Sequence, residues 1–246
     1  MGQSHQDRGN QGGLIGMTLQ ILSGGAAAGL VDALRTQFEA QTSHDIEGDF
    51  GAVGVMRDKL LAGAACDVLI LTQALIDQLV TSGQVLAGSA QALGLVKTGV
   101  AVKVTEPVPN VSTPAALKAA LLTARGIYFP DPVKATAGIN FFKVLQQLGI
   151  DAEVASRLRA FPNGATAMRE MAQCDEPGLI GCTQVTEILY TPNVRLVANL
   201  PTEFELATVY TAAVCAQSSR VAMARELVAL LSGKVSAPQR ASAGFE

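Results

Sequence analysis

Nearly continuous apolar runs of strand length alternate with stretches of helical period along almost the whole chain. The segment "CDVLILT" (66–72) has no polar face, as a strand covered on both sides of a parallel sheet requires. Upstream, "AAAGLVDALRTQFEAQT" sets Leu30, Ala33, Leu34 and Phe38 on one helical stripe. The rhythm goes on through the strands "TGVAVKV", "GIYFP" and "GLIGCTQ" and the helices "TPAALKAALLTA", "TAGINFFKVLQQLG" and "ATAMREMAQ". It closes on "VRLVANL", "ATVYTAAVC" and the helix "RVAMARELVALLSG". Such alternation predicts an α/β fold with mostly parallel sheets. Phe141, Phe142, Leu145 and Leu148 recur at helical spacing and are expected in the core. Gly83 is expected to end the helix "ALIDQLVTSG".

Several predicted strands pass through glycine or other small residues straight into a helix. These places are Ser23, Gly24, Gly25 and Ala26; Gly51, Ala52, Val53 and Gly54; Thr136, Ala137 and Gly138; and Gly164 and Ala165. In an open α/β sheet the carboxyl ends of the strands line the ligand crevice. A helix start offers unpaired N–H groups and a partial positive charge, so small residues there let an anion reach the backbone. A tight turn with close packing explains any single one of these loops. Four in one chain point to an anion cleft.

The rest of the composition excludes more than it selects. A chain of 246 residues, 49% of them apolar, has material for one large domain or two small ones. With 18 basic against 21 acidic residues the net charge is −3, which excludes nucleic acid and anionic membrane surfaces as partners. Any anion must be caught by a few well-aimed groups. The four cysteines (Cys66, Cys174, Cys182, Cys215) never form a CxxC pair, and the only histidines are His5 and His44. A structural zinc site and a histidine-based triad are therefore excluded, and no metal or cofactor is expected. Free, mostly buried thiols are the expected state of the cysteines. The stretch "MGQSHQDRGNQGGLIG" is polar and lacks an apolar signal core, so residues 1–16 read as a disordered extension ahead of Met17. No apolar run is long enough to span a bilayer. The sequence as it stands reads as cytoplasmic, or as periplasmic if a leader has been removed.

The order and spacing of "LSGGAAAGLVDALRTQFE", "DFGAVGVMRDKLLAGAACDVLILT", "FPDPVKATAGINFFKVLQQLG", "LPTEFELATVYTAAV" and the closing "SAGF" resemble the molybdate-binding proteins of ABC transporters. The resemblance runs from about Leu19 to the carboxyl end. It implies a type II periplasmic-binding-protein fold: two α/β lobes joined by two crossing strands, with a small anion in the cleft and a transporter permease as partner. The first lobe is expected at 17–97 plus 205–246 and the second at 98–204. The family's first-loop serine falls at Ala26, with Ser23 three residues earlier. Its second-loop serine falls at Ala52 and Val53, beside Gly54. Its helix-opening Pro-Ala-Gly is matched by Thr136, Ala137 and Gly138, and the next backbone donor by Gly164. Its tyrosine is replaced by Gln184, next to Thr183.

The resemblance thus keeps the backbone half of an anion site and loses most of its hydroxyls. A dry cage for a tetrahedral oxyanion needs many short-range donors. A larger carboxylate ligand, met by Thr183 and Gln184 in a widened cleft, is expected instead. Lys134 is a candidate to pair with it. Arg57 and Arg169 are candidates too, though solvated helix faces explain both. Glu187 is expected to make a structural hydrogen bond, and Tyr210 to sit on a crossing strand as cleft wall. Three readings remain: a small-anion receptor; an isomerase of an unsaturated tricarboxylate such as aconitate, with Lys134, Glu187 and Tyr210 as the groups able to move a proton; and a ligand-sensing module. No helix-turn-helix or basic patch supports the last.

Overall fold

The computed structural model describes residues 18–246, so the extension expected over 1–16 lies outside the described residues. The first elements are β1 (Leu19–Gly24), α1 (Ala28–Thr42), β2 (Ile46–Gly51), α2 (Val53–Leu61), β3 (Val68–Thr72) and α3 (Gln73–Thr81). A long strand β4 (Gln91–Lys103) leads into α4 (Pro114–Thr123), β5 (Gly126–Pro130), α5 (Thr136–Gln147) and the single turn α6 (Asp151–Val154). Then come β6 (Leu158–Phe161), α7 (Gly164–Gln173), β7 (Leu179–Gln184), α8 (Val185–Tyr190) and β8 (Val194–Asn199). The chain ends with β9 (Ala207–Val214), α9 (Val221–Ser232) and α10 (Ala237–Ser242).

Local chemistry explains many of these boundaries. The α4 helix starts where Thr113 accepts from the Ala116 N–H and Pro114 occupies the first turn. The α3 helix stops where Gly83 takes φ +75° and returns its N–H to Val80. The α1 helix buries Leu30, Leu34 and Phe38 of the expected stripe, but Val31 takes the buried place expected of Ala33, which is exposed.

Two groups of parallel strands meet at two crossing strands. In the first, β1 pairs in parallel with β2 and β3; in the second, β5 pairs in parallel with β6 and β7. The crossing strands β9 and β4 join them by antiparallel pairing in the order β2-β1-β3-β9-β4-β7-β5-β6, with β8 also on β4. The first half of β4 pairs with β9 and its second half with β7 and β8, so one strand serves both sides. The boundary expected at 97/98 falls inside it.

The apolar interior divides accordingly. One cluster draws on Leu19 through Val96 and again on Tyr210 through Phe245. Two others lie wholly within Val100–Leu200.

The carboxyl terminus is laid along β4 at the crossing. Leu95 and Glu246 exchange both backbone hydrogen bonds at 2.8 Å, Lys97 holds the Glu246 carboxylate at 3.2 Å, and Phe245 is buried in the first core. Gly94 makes room for this with φ +145°, beside a register shift in β4. A Cβ at Gly94 would stand 2.9 Å from the Glu246 carbonyl oxygen. Gly94→Ala is therefore expected to lower stability by about 1–3 kcal/mol, read from thermal melts.

Candidate active site: a cavity at three helix starts

The carboxyl ends of β2 and β5 deliver α2 and α5 to one cavity, and Gly164 brings the first turn of α7 to the same place. The cavity has a volume of about 20 Å³, room for little more than one or two waters. Gly25, Asn163 and Gln184 also line it. Among the described residues no lysine or arginine lines it. Positive potential comes instead from the helix starts, each worth about half a unit charge.

The three starts differ in what already satisfies them. Neither α2 nor α5 has a side-chain cap: Ala52 and Ala135 hold the cap positions and have no side-chain acceptor to offer. Their first-turn N–H groups are the ones open to an outside anion. The α7 start is served from within, because the Asn163 side chain accepts from the Thr166 N–H. The carboxyl of Glu187 lies against the same turn, close to the N–H groups of Gly164, Ala165 and Gln184, and accepts from the Thr183 hydroxyl at 2.5 Å. A Cβ on Gly164 or on Gly25 would overlap that carboxyl, so a side chain at either position would displace it.

Glu187 is 5% exposed. Burial raises the pKa of its carboxyl above the ordinary carboxylate value, against the lowering effect of those four donors. The Tyr210 phenol lines the same cavity and is also pushed up, first by burial and then by the Glu187 charge. Gln184 is 3% exposed, and neither of its amide atoms has a hydrogen-bond partner. It lies near Tyr210, close enough to offset that rise slightly but without a well-formed bond. A buried, unpartnered amide beside a cavity lacks the partners that such groups ordinarily have.

A match to the bacterial extracellular solute-binding proteins spans residues 19–246. The chain belongs to this family. Among curated proteins, it is 26% identical over 240 residues to an aconitate isomerase of a Pseudomonas species, covering 93% of this chain and 87% of that one. Among solved structures, it resembles the periplasmic molybdate-binding protein of Azotobacter vinelandii with a TM-score of 0.77 at 19% identity, covering 93% of this chain and 98% of that one. The sulfate-binding protein SubI of Mycobacterium tuberculosis H37Rv superposes with a TM-score of 0.72 at 18% identity, covering 93% and 86%. These likenesses establish the periplasmic-binding-protein fold.

In this member of the solute-binding family the residues singled out from sequence fall in different places. Gly25, Ala52, Val53, Thr136, Ala137, Gly164 and Gln184 line the cavity. Ser23 does not: its hydroxyl is buried and donates to the Gly24 carbonyl. Gly24 and Ala26 pack behind the cavity, and Gly54 abuts the Lys134 backbone carbonyl rather than a guest. Thr183 acts through Glu187. The Lys134 side chain is exposed, because the Asp131 carboxylate accepts the N–H groups of Val133 and Lys134 and sets the turn outward. Arg57 pairs with Asp58 and Arg169 reaches Thr166, both on exposed faces. The cavity is small against the widened cleft expected from the lost hydroxyls, and Gln184, Glu187 and Tyr210 are among its walls.

Asn163 and the exchange between Glu187 and α7 were not anticipated. Both carry sequence signals. Asn163 is a preferred cap residue before "GATAM". Glu187 is the third residue after the Gln184 cap, the position from which a glutamate reaches back to backbone N–H groups.

Proposed function

We propose that the cleft binds a small organic acid, one carboxylate of which enters the cavity against the starts of α2 and α5 while Glu187 is neutral. The observation that carries this reading is the Glu187 carboxyl itself, buried in the cavity wall where no side-chain cation lines the space. An ionised Glu187 would cancel most of the positive potential of three helix starts, about one and a half unit charges in all. A neutral one leaves that potential for a guest and can donate a hydrogen bond to it. A ligand larger than one carboxylate group requires the cleft to open beyond its present 20 Å³.

Calorimetric titration at pH 6 with cis-aconitate, trans-aconitate, citrate, sulfate and molybdate tests the reading. An aconitate or citrate is expected to bind tightest. Tighter binding of molybdate or sulfate than of every carboxylate would sink it.

A second reading, isomerisation of an unsaturated carboxylic acid, is favoured by two titratable groups on one cavity, Glu187 and Tyr210, together with the similarity to an aconitate isomerase. An allylic shift needs a group that takes a proton from one carbon and returns one to another. The helix starts would hold the charge that develops on the carboxylate. Ultraviolet absorbance of cis- and trans-aconitate mixtures would reveal turnover. No interconversion at enzyme concentrations that bind substrate leaves the receptor reading alone.

A further inference from the structure

We infer that Cys66 and Cys215 are a disulfide-forming pair that staples together the part of the fold built from both ends of the chain. Their sulfurs lie 3.2 Å apart, across the start of β3 and the end of β9. Closing that gap to a bond of about 2.05 Å takes roughly 1 Å of movement, within reach of small side-chain rotations. The backbone is already held, since the Cys215 N–H donates to the Asp67 carbonyl at 3.0 Å. Cys66 is half-buried and Cys215 buried, so an oxidant meets Cys66 first. Cys182 is fully buried, and Cys174 adjoins Arg159 and Tyr128 in the other half of the molecule.

The oxidant is a small-molecule disulfide. The Cys66 thiolate attacks one of its sulfurs, forming a mixed disulfide and expelling one small thiolate. The Cys215 sulfur, giving up its proton, then attacks the Cys66 sulfur and expels the second. Two protein thiols lose two electrons to one disulfide, and the two protons end on the two small thiols.

The bond would close a loop 149 residues long that contains β4, β9 and the whole of the second half. Cross-links over loops of that length restrict the unfolded chain most. The pair stands at the amino end of β3, whereas the cavity lies at the carboxyl ends of the parallel strands. Ligand affinity is therefore expected to be unaffected.

The test exposes the folded full chain to oxidised glutathione and reads intact mass, a non-reducing peptide map and the melting temperature. A mass lower by about 2 Da, a peptide joining Cys66 to Cys215 and a melting temperature higher by about 10 °C are expected. Cys174→Ser should retain all three and Cys66→Ser should lose them. A bridge mapped to Cys174 or Cys182, a glutathione adduct at Cys66 that never closes, or a folded chain whose four thiols stay free would each overturn the inference. The map on the unsubstituted protein decides even if Cys66→Ser fails to fold.

Discussion

Glu187→Gln is expected to bind organic acids with an affinity that no longer depends on pH. In the unsubstituted protein the neutral form of Glu187 is the one that leaves the helix starts free for a guest. As pH climbs through its raised pKa the carboxyl ionises, and affinity should fall by up to about tenfold for each further pH unit. The amide keeps the shape and cannot ionise, so its titration curve should be flat where the parent's falls. Among the described residues the facing groups are the Tyr210 phenol, the Thr183 hydroxyl and the N–H groups of α7, with no second carboxylate or cation on the cavity. Calorimetry from pH 5 to 9 reads the difference. A parental pH profile retained by the variant would remove Glu187 from the mechanism.

Folding stability gives a second readout with its own sign. A glutamate in the unfolded chain ionises near about 4.3. Between that value and the raised folded value the native state holds the extra proton, so stability falls as pH rises through this window. Glu187→Gln removes that part of the slope. If the protein is an isomerase, the same substitution should cut kcat by about 10²–10⁴ with little change in KM, because the lost step is proton transfer.

Gly138→Ala is expected to damage both fold and site. A Cβ there would lie within the van der Waals shells of the Pro130 and Asp131 carbonyl oxygens, which are backbone and cannot swing aside. The α5 start must then move off β5, at a cost of about 2–4 kcal/mol. The uncapped N–H groups of Thr136 and Ala137 leave their aim at the cavity with it, and affinity should drop by about a hundredfold. Thermal melts and titration at a temperature where the variant is folded separate the two effects. Lys134→Ala, one turn away on an exposed side chain, should leave both within error. Loss of affinity in the lysine variant, with Gly138→Ala binding normally, would mean that a side-chain cation and not the helix start holds the ligand.

The apolar runs revealed most of the fold because strands buried on both faces cannot be polar. Where that pressure is absent, the elements did not show. The short β6 has no fully buried residue, and α8 has six residues, too few to show a helical period. The first half of β4 alternates too weakly, with exposed Gln91 and Ala92 before Leu93. At the site, the small residues at helix starts were legible because clearance is written in residue size. Direction is not. Lys134 faces solvent for the sake of an Asp131 turn, and Ser23 spends its hydroxyl on its neighbour. Glu187 was read as a structural hydrogen bond, which it makes, but its burial beside Tyr210 needs residues 23 apart in sequence to meet in space.

The first core needs both ends of the polypeptide, and that orders events during synthesis. Strand β9 sits between β3 and β4, so β3 has an unpaired edge until residue 214 has left the ribosome. The clusters within Val100–Leu200 need nothing downstream of them. A nascent chain exposed only as far as Phe204 would therefore carry a finished inner half beside an amino-terminal sheet open to pairing with any stray strand. Strand β9 closes that edge, and a chaperone would be of most use in the interval before it arrives.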